Sequence, residues 1–207
     1  YNNTADASDT YPVGTTTVTW TVTDLAGNTA TCQMTVTISD DEDPVITVCP
    51  SDVTELVDAS CEFSLPDYTS LATATDNCDL SVTLSQSPLP GTVISGYGTV
   101  QTVTITATDD DGNFSTCSFD VTLDDDINPT ITCPADVIQT ADAGVCEADV
   151  SIPAPVVGDN CGVASFVNDY NNTADASDTY PVGTTTVTWT VTDIHGNSST
   201  CQMTVTI

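Results

Sequence analysis

The 207-residue chain carries 30 Asp and Glu against no Lys or Arg and one His, a formal charge of −30. Nucleic acid and anionic membrane surfaces are bound by neutralising phosphates with Lys and Arg, so both are excluded as partners. The charge must be met by cations from outside, or it serves to keep a secreted polymer soluble. Apolar residues make up 39% and sit among threonines, which argues for folded β-structure rather than a disordered acidic tail. No stretch approaches the length of a membrane span, and Tyr1 falls in mid-pattern, so the chain reads as a window of a longer one.

In chain order, Val18, Trp20 and Val22 alternate with Thr17, Thr19, Thr21 and Thr23, the two-residue period of a strand with one core face and one threonine face. A turn at Asp24 to Asn28 leads to a second alternating run with Cys32, Met34, Val36 and Ile38 on one side, which makes a terminal hairpin. Next, Asp40-Asp41-Glu42-Asp43-Pro44 opens a new segment. Pro66, Pro88, Pro90, Gly91, Gly96 and Gly98 punctuate it as turns, and it ends in the same hairpin, with Val103, Ile105 and Ala107 and then Cys117, Phe119, Val121 and Leu123 in phase. Asp124-Asp125-Asp126-Ile127-Asn128-Pro129 opens the last segment. Its ending, Tyr170–Ile207, repeats Tyr1–Ile38 except at Leu25/Ile194, Ala26/His195, Thr29/Ser198 and Ala30/Ser199.

Three pieces follow: residues 1–39, the C-terminal half of a repeat, and two full repeats at 40–123 and 124–207. Roughly seven short strands per repeat predict an all-β fold of tandem immunoglobulin-like sandwiches in an extended rod. Trp20 and Trp189 fall in phase with the valines and read as core fillers.

The nine cysteines divide as Cys32 in the half repeat, Cys49, Cys61, Cys78 and Cys117 in the next, and Cys133, Cys146, Cys161 and Cys201 in the last. Even numbers at repeating positions, without CxxC spacing, argue for disulfides and an oxidising compartment. Four cysteines allow three connectivities. In an immunoglobulin-like sandwich the first strand runs beside the last, which would bring Cys49 near Cys117 and leave Cys61 for Cys78, with Cys133, Cys201, Cys146 and Cys161 following suit. On the chain-entropy account the long loop is worth about 4 kcal/mol and the short one about 3 kcal/mol.

The motifs ITVCP (46–50), TDNC (75–78) and TDDDGNFSTCSF (108–119), then ITCP (131–134), GDNC (158–161) and TDIHGNSSTCQM (192–203), resemble the hyalin repeat, or HYR domain. The resemblance implies an immunoglobulin-like fold and a role in adhesion at cell surfaces. Members with two cysteines keep the first and last of the four, which supports Cys49 with Cys117 and Cys133 with Cys201. The extra Val48 of the first full repeat suggests a bulge. Tandem, lysine-free, Asp- and Thr-rich arrays also resemble the giant surface adhesins of gliding bacteria, exported by the type IX route.

Calcium is the sharpest functional expectation. The repeat start, the middle loop and the last hairpin loop would meet at one end of a sandwich. They carry Asp40, Asp41, Glu42, Asp43, Asp76, Asn77, Asp109, Asp110 and Asp111 in one repeat. In the next they carry Asp124, Asp125, Asp126, Asn128, Asp159, Asn160 and Asp193. Calcium takes six to eight oxygens, which converging loops can supply, while the same residues equally suit turns.

Catalysis finds no support: His195 reads as a solvated loop residue and no nucleophile elbow appears. The expected function is a structural stalk or filament segment of a secreted cell-surface adhesin, braced by disulfides and Ca2+ at repeat junctions. Its partners would be neighbouring repeats and other copies in a filament. The alternative is a module that binds carbohydrate or a protein receptor through its loops.

Overall fold

A computed structural model describes residues 3–207, so the first two positions of the expected half repeat 1–39 lie outside it. Eighteen strands and one short 3-10 turn, Thr69–Leu71, account for its regular structure, with no α-helix among the described residues. The chain forms two compact units. One takes the N-terminal stretch up to Ser51 with Asp67–Pro88 and Val103–Phe119; the other takes Asp52–Pro66, Leu89–Thr102 and Asp120–Ile207.

In the first unit, β1 (Gly14–Thr23) and β2 (Thr29–Ile38) pair antiparallel, Val18 opposite Met34 and Trp20 opposite Cys32. Tyr11 donates its hydroxyl to the Ala7 carbonyl at 2.6 Å. From the following segment come β3 (Val45–Val48), β6 (Thr73–Thr75) and β7 (Thr83–Ser87). Strand β3 pairs antiparallel with β6, and its register shifts between Ile46 and Val48, so the extra residue is absorbed as a bulge. Thr47 holds the bulge through Thr73, carbonyl at 3.1 Å and hydroxyl at 2.7 Å. Strand β7 pairs with Thr104–Thr108 of β9 (Val100–Thr108). Tyr68 meets Phe119 edge to face, centroids 5.0 Å apart, among buried Ile105 and Ala107.

In the second unit, β4 (Val53–Leu56) runs parallel to Val121–Asp124 of β10 (Phe114–Asp124), and β5 (Glu62–Ser64) pairs antiparallel with β8 (Val93–Ser95). The rest of this unit is a complete sandwich. Its strands are β11 (Thr130–Thr132), β12 (Val137–Ile138), β13 (Glu147–Val150), β14 (Val156–Gly158), β15 (Val163–Asn168), β16 (Asp178–Pro181), β17 (Thr184–Asp193) and β18 (Ser198–Thr206). A four-stranded sheet, β12–β18–β17–β15, is accompanied by the ribbons β11–β14 and β13–β16.

The same pairings recur between residues 40 and 123: β3–β6 matches β11–β14, β5–β8 matches β13–β16, β4–β10 matches β12–β18 and β7–β9 matches β15–β17. The protein is a tandem β-sandwich array. Its first and last strands are neighbours, and Cys49 is bonded to Cys117 and Cys133 to Cys201, each pair 68 residues apart in sequence.

Alternation builds the last core. Val187, Trp189 and Val191 of β17 and Met203 and Val205 of β18 turn inward, while the threonines between them face out. Val187, Trp189, Met203 and Val205 pack with Val150, Ile152, Ala176 and Tyr180. Burial of side chains this large contributes about 1.5–3 kcal/mol each. The Tyr180 hydroxyl donates to the Ala176 carbonyl at 2.7 Å, the bond that Tyr11 makes to Ala7 in the near-identical copy. The two copies differ in cover: Trp189 and Val191 are fully buried, whereas Trp20 is only half-buried and Val22 is 68% exposed.

This difference is measurable. Trp189→Ala should cost about 3–5 kcal/mol in denaturant unfolding followed by circular dichroism, and Trp20→Ala distinctly less; equal costs would show that Trp20 has an apolar cover of its own.

Candidate cation site and the repeat junction

The acidic loops are held by a shared device. After β9, Asp109 accepts from the Gly112 and Asn113 N–H groups at 2.6 and 2.8 Å and from the Asn113 side-chain amide at 2.7 Å. After β17, Asp193 does the same with His195 N–H at 2.8 Å, Asn197 N–H at 2.9 Å and the Asn197 amide at 2.9 Å. Both carboxylates are buried and both oxygens of each are engaged. Both residues are expected metal ligands, and each already takes three hydrogen bonds from its own turn; Asp193 also lies with Asp125 and His195, their ligand atoms within 4.8 Å of one another. The Asn amides reach back to the repeat start, Asn113 to the Asp40 carbonyl at 3.2 Å and Asn197 to the Asp125 carbonyl at 3.0 Å. The middle turns are also alike. Asp76 caps the N–H groups of Cys78 and Asp79 at 2.8 and 3.1 Å, and Asp159 caps those of Cys161 and Gly162 at 2.9 and 2.7 Å.

In the first unit these loops bring Asp40, Asp76 and Cys78 together, their ligand atoms within 4.8 Å of one another. Asp40 Oδ2 and Asp76 Oδ2 are buried without a hydrogen-bond partner. Asn77 donates to Glu42 Oε2 at 2.8 Å, and Asp43 accepts from Phe114 N–H at 3.3 Å. Asp41 and Asp111 are exposed. Desolvation and the carboxylates of Asp40, Asp76 and Asp79 push the Cys78 thiol up, which disfavours a thiolate ligand for a soft metal.

The second unit contains the stretch around Asp124, where the sequence places the start of the last repeat, together with Asp52–Pro66 and Leu89–Thr102. Asp125, 4% exposed, accepts at Oδ1 from Ile127 N–H at 3.1 Å and the Asn160 amide at 3.2 Å, and its Oδ2 lies 2.9 Å from His195 Nδ1. His195 is a correction to the sequence reading: its side chain is only 3% exposed, packed on the Tyr97 ring from the preceding repeat, instead of solvated. Asn160 also donates to the Asp58 carbonyl of that repeat at 3.1 Å. Asp159 Oδ2, Asn160 Oδ1 and His195 Nε2 are buried without partners. Asp124 and Asp126 are exposed, Asp124 accepting from Asp125 N–H at 3.0 Å.

A disulfide closes the seam, and it is a second correction. Cys61 is bonded to Cys161, 100 residues away, with Cα atoms 5.0 Å apart, so neither Cys61–Cys78 nor Cys146–Cys161 forms. Cys61 lies in the turn entering β5, in the unit that holds Cys161, while Cys78 belongs to the other unit. Cys146 and Cys161 flank the stretch of β13 and β14, whose strands pair with β16 and β11 respectively. Cys32, Cys78 and Cys146 are exposed thiols. Elimination within one repeat missed this pairing because the partner belongs to the next repeat. For His195 the available signal was its place at the Asp111 position, inside a loop already counted as acidic.

The turn carboxylates set an acid limit. Burial raises the Asp193 carboxyl, but the Asn197 amide and the His195, Asn197 and Gly196 N–H groups outweigh it, so its pKa lies below the ordinary aspartate value. Asp109 is lowered in the same way. A depressed carboxyl stabilises the fold above its unfolded value of about 3.9, and that contribution is lost as pH falls through the folded value. Thermal melting should therefore hold from pH 7 to about 5 and fall below about 4. Asp193→Asn should melt lower at pH 7 and show a smaller acid drop; an unchanged acid limb would remove these turns as its cause.

The HYR domain family matches residues 2–38 and 124–207. Two curated relatives called hyalin are similar over the whole of this chain. That of Strongylocentrotus purpuratus is 34% identical, with 17% of its length covered, and that of Lytechinus variegatus is 32% identical, with 38% covered. The chain thus spans well under half of either relative. Among solved structures, Drosophila N-cadherin EC1-4 aligns with a TM-score of 0.42 at 12% identity, covering 85% of this chain and 52% of that one. The protocadherin gammaB7 EC3-6 cis-dimer structure aligns at 0.39 and 18%, covering 94% and 58%. The disulfides, together with the HYR match and the hyalin relatives, mark this as an extracellular module. No helix among the described residues is long and apolar enough to cross a membrane. More than half of its residues fall within the matched stretches, and the chain belongs to the HYR domain family.

Proposed function

We propose that this segment is a non-catalytic, load-bearing spacer of a larger extracellular adhesion protein, built from repeats bounded at 39/40 and 123/124. The observation that carries this reading is the Cys61–Cys161 bond between successive repeats, reinforced by Asn160 on the Asp58 carbonyl. By the chain-entropy account, closing a loop of that length contributes about 4.7 kcal/mol. A module that only displayed loops to a ligand has no need of a covalent seam. Assignment to the surface adhesins of gliding bacteria, with type IX export, rests on the lysine-free, near-identical copies alone, and the spacer role does not depend on it.

Calcium belongs to the same proposal, held chiefly by Asp40 and Asp76, with Glu42 and Asn77 beside them. Two buried carboxylate oxygens without hydrogen-bond partners suit a hard cation that takes oxygen ligands. Bound there, it would offset the charge of the repeat start and tie it to the middle turn. At the next junction His195 already satisfies Asp125, which leaves Asp159 Oδ2 and Asn160 Oδ1 as the oxygens open to a cation. Asp41, Asp43, Asp111, Asp124 and Asp126 are outer carboxylates of the two sets.

Two measurements test these claims separately. Calcium at about 100 times its dissociation constant should stabilise by about 2.7 kcal/mol, a rise of several degrees in melting. Chelator should reverse the rise and Asp40→Asn with Asp76→Asn should abolish it; a melting point indifferent to calcium would leave the charge with a solubility role only. Under force, each oxidised repeat should release little chain. After reduction it should release the 68 residues enclosed by Cys49–Cys117, roughly 240 Å at about 3.6 Å per residue. Equal release in both states would end the load-bearing reading.

A further inference from the structure

Four of the cysteines, Cys61, Cys78, Cys146 and Cys161, fall into two bonding classes. Cys61 and Cys146 each precede the Glu that opens a strand, Glu62 or Glu147. Both turns close through the same backbone bond, Asp58 N–H to Glu62 carbonyl and Asp142 N–H to Glu147 carbonyl, each 2.8 Å. Each cysteine carbonyl accepts from the opposing chain, Cys61 from Gly96 N–H and Cys146 from Val182 N–H, both at 3.0 Å. Cys78 and Cys161 occupy the other class, each third in an Asp-Asn-Cys turn whose Asp caps the following N–H groups. One member of each class is bonded, Cys61 to Cys161, and one member of each, Cys146 and Cys78, is an exposed thiol. Cys32 belongs to a third class, with Cys117 and Cys201, whose partners lie in the first strand of the same repeat.

We propose that Cys146 and Cys78 are docking thiols for neighbouring HYR repeats. Cys146 bonds the Asp-Asn-Cys cysteine of a repeat stacked after it, and Cys78 bonds the pre-Glu cysteine of a repeat stacked before it. The Cys61–Cys161 bond is then one rung of a ladder that runs from each repeat to the next. In forming a rung, two thiols give up two electrons and two protons to a disulfide oxidant, which takes both up and is reduced to two thiols. The Asn of the incoming turn should donate to the Asp142 carbonyl, as Asn160 does to Asp58. The pairing is tested apart from the spacer role, because a disulfide map reads which cysteines join and the force measurement reads what the joined repeats bear.

The test extends the 207-residue chain after Ile207 with a second copy of residues 39–123. This re-creates a junction the protein already has, because Tyr170–Ile207 nearly repeats the Tyr1–Ile38 stretch that precedes Ser39. The extended chain is oxidised at high dilution with oxidised glutathione, alkylated, cleaved with an Asp-specific protease and mapped without reduction. The expected map keeps Cys61 with Cys161 and joins Cys146 to the added copy of Cys78. Three thiols then remain alkylated per chain, the number free in the shorter chain, although four cysteines have been added. Cys146→Ser should expose the added Cys78 to alkylation and leave the other rungs intact. A gel without reducing agent distinguishes a rung within one chain from one between two chains, and either supports the pairing. Alkylated Cys146 in the extended chain, or a map with Cys61–Cys78 and Cys146–Cys161, overturns it.

Discussion

A carboxylate drawn into this protein has no lysine or arginine to meet it. With −30 formal charges and one histidine, every buried acid must be satisfied by N–H donors, by the imidazole or by an external cation. The chain answers with short-range chemistry: Asp109 and Asp193 are each enclosed by their own hairpin turns and by one Asn amide. That amide sits four residues on and also grips the start of the repeat, so the turn, the terminal hairpin and the entry of the chain are fixed together. Such bonds to charged groups are worth roughly 1.5–3 kcal/mol each, which lets two hairpins end in buried acids without a counter-charge.

The seam in the second unit extends this logic. Asp125 is an acid that the donors of its own loop do not fully satisfy, and there the lone histidine supplies a partner while Asn160 bridges Asp125 and the Asp58 carbonyl. The disulfide beside this network holds the donors in register. Polar contacts and covalent bond therefore act on the same pair of loops, and the junction is defined by residues from both repeats.

Strands were the most legible part of the sequence, because a two-residue alternation of Val and Thr leaves one face to bury. Val187, Trp189 and Val191 are all inside. The bulge at Val48 was readable from a single extra residue. The loops were less legible. Composition marked Asp40, Asp76, Asp109 and Asp193 alike, yet the first two keep unpartnered oxygens and the last two spend theirs on adjacent N–H groups; spacing to Gly and Asn, not charge, separates them. Cysteine pairing was legible where strand order governs it, at Cys49–Cys117 and Cys133–Cys201. It was illegible at Cys61, because loops that abut across a repeat boundary leave no periodic trace. Tyr97 and His195 were missed for the same reason.

The near-identity of Tyr1–Ile38 and Tyr170–Ile207 acquires a meaning beside the repeat-to-repeat disulfide. A coding sequence with such copies invites unequal exchange, which would add or delete whole two-repeat blocks. If the proposed pairing of one cysteine class with the other holds at each boundary, any such gain or loss leaves each junction chemically matched. Length can thus drift over generations without leaving a mispaired thiol inside the array.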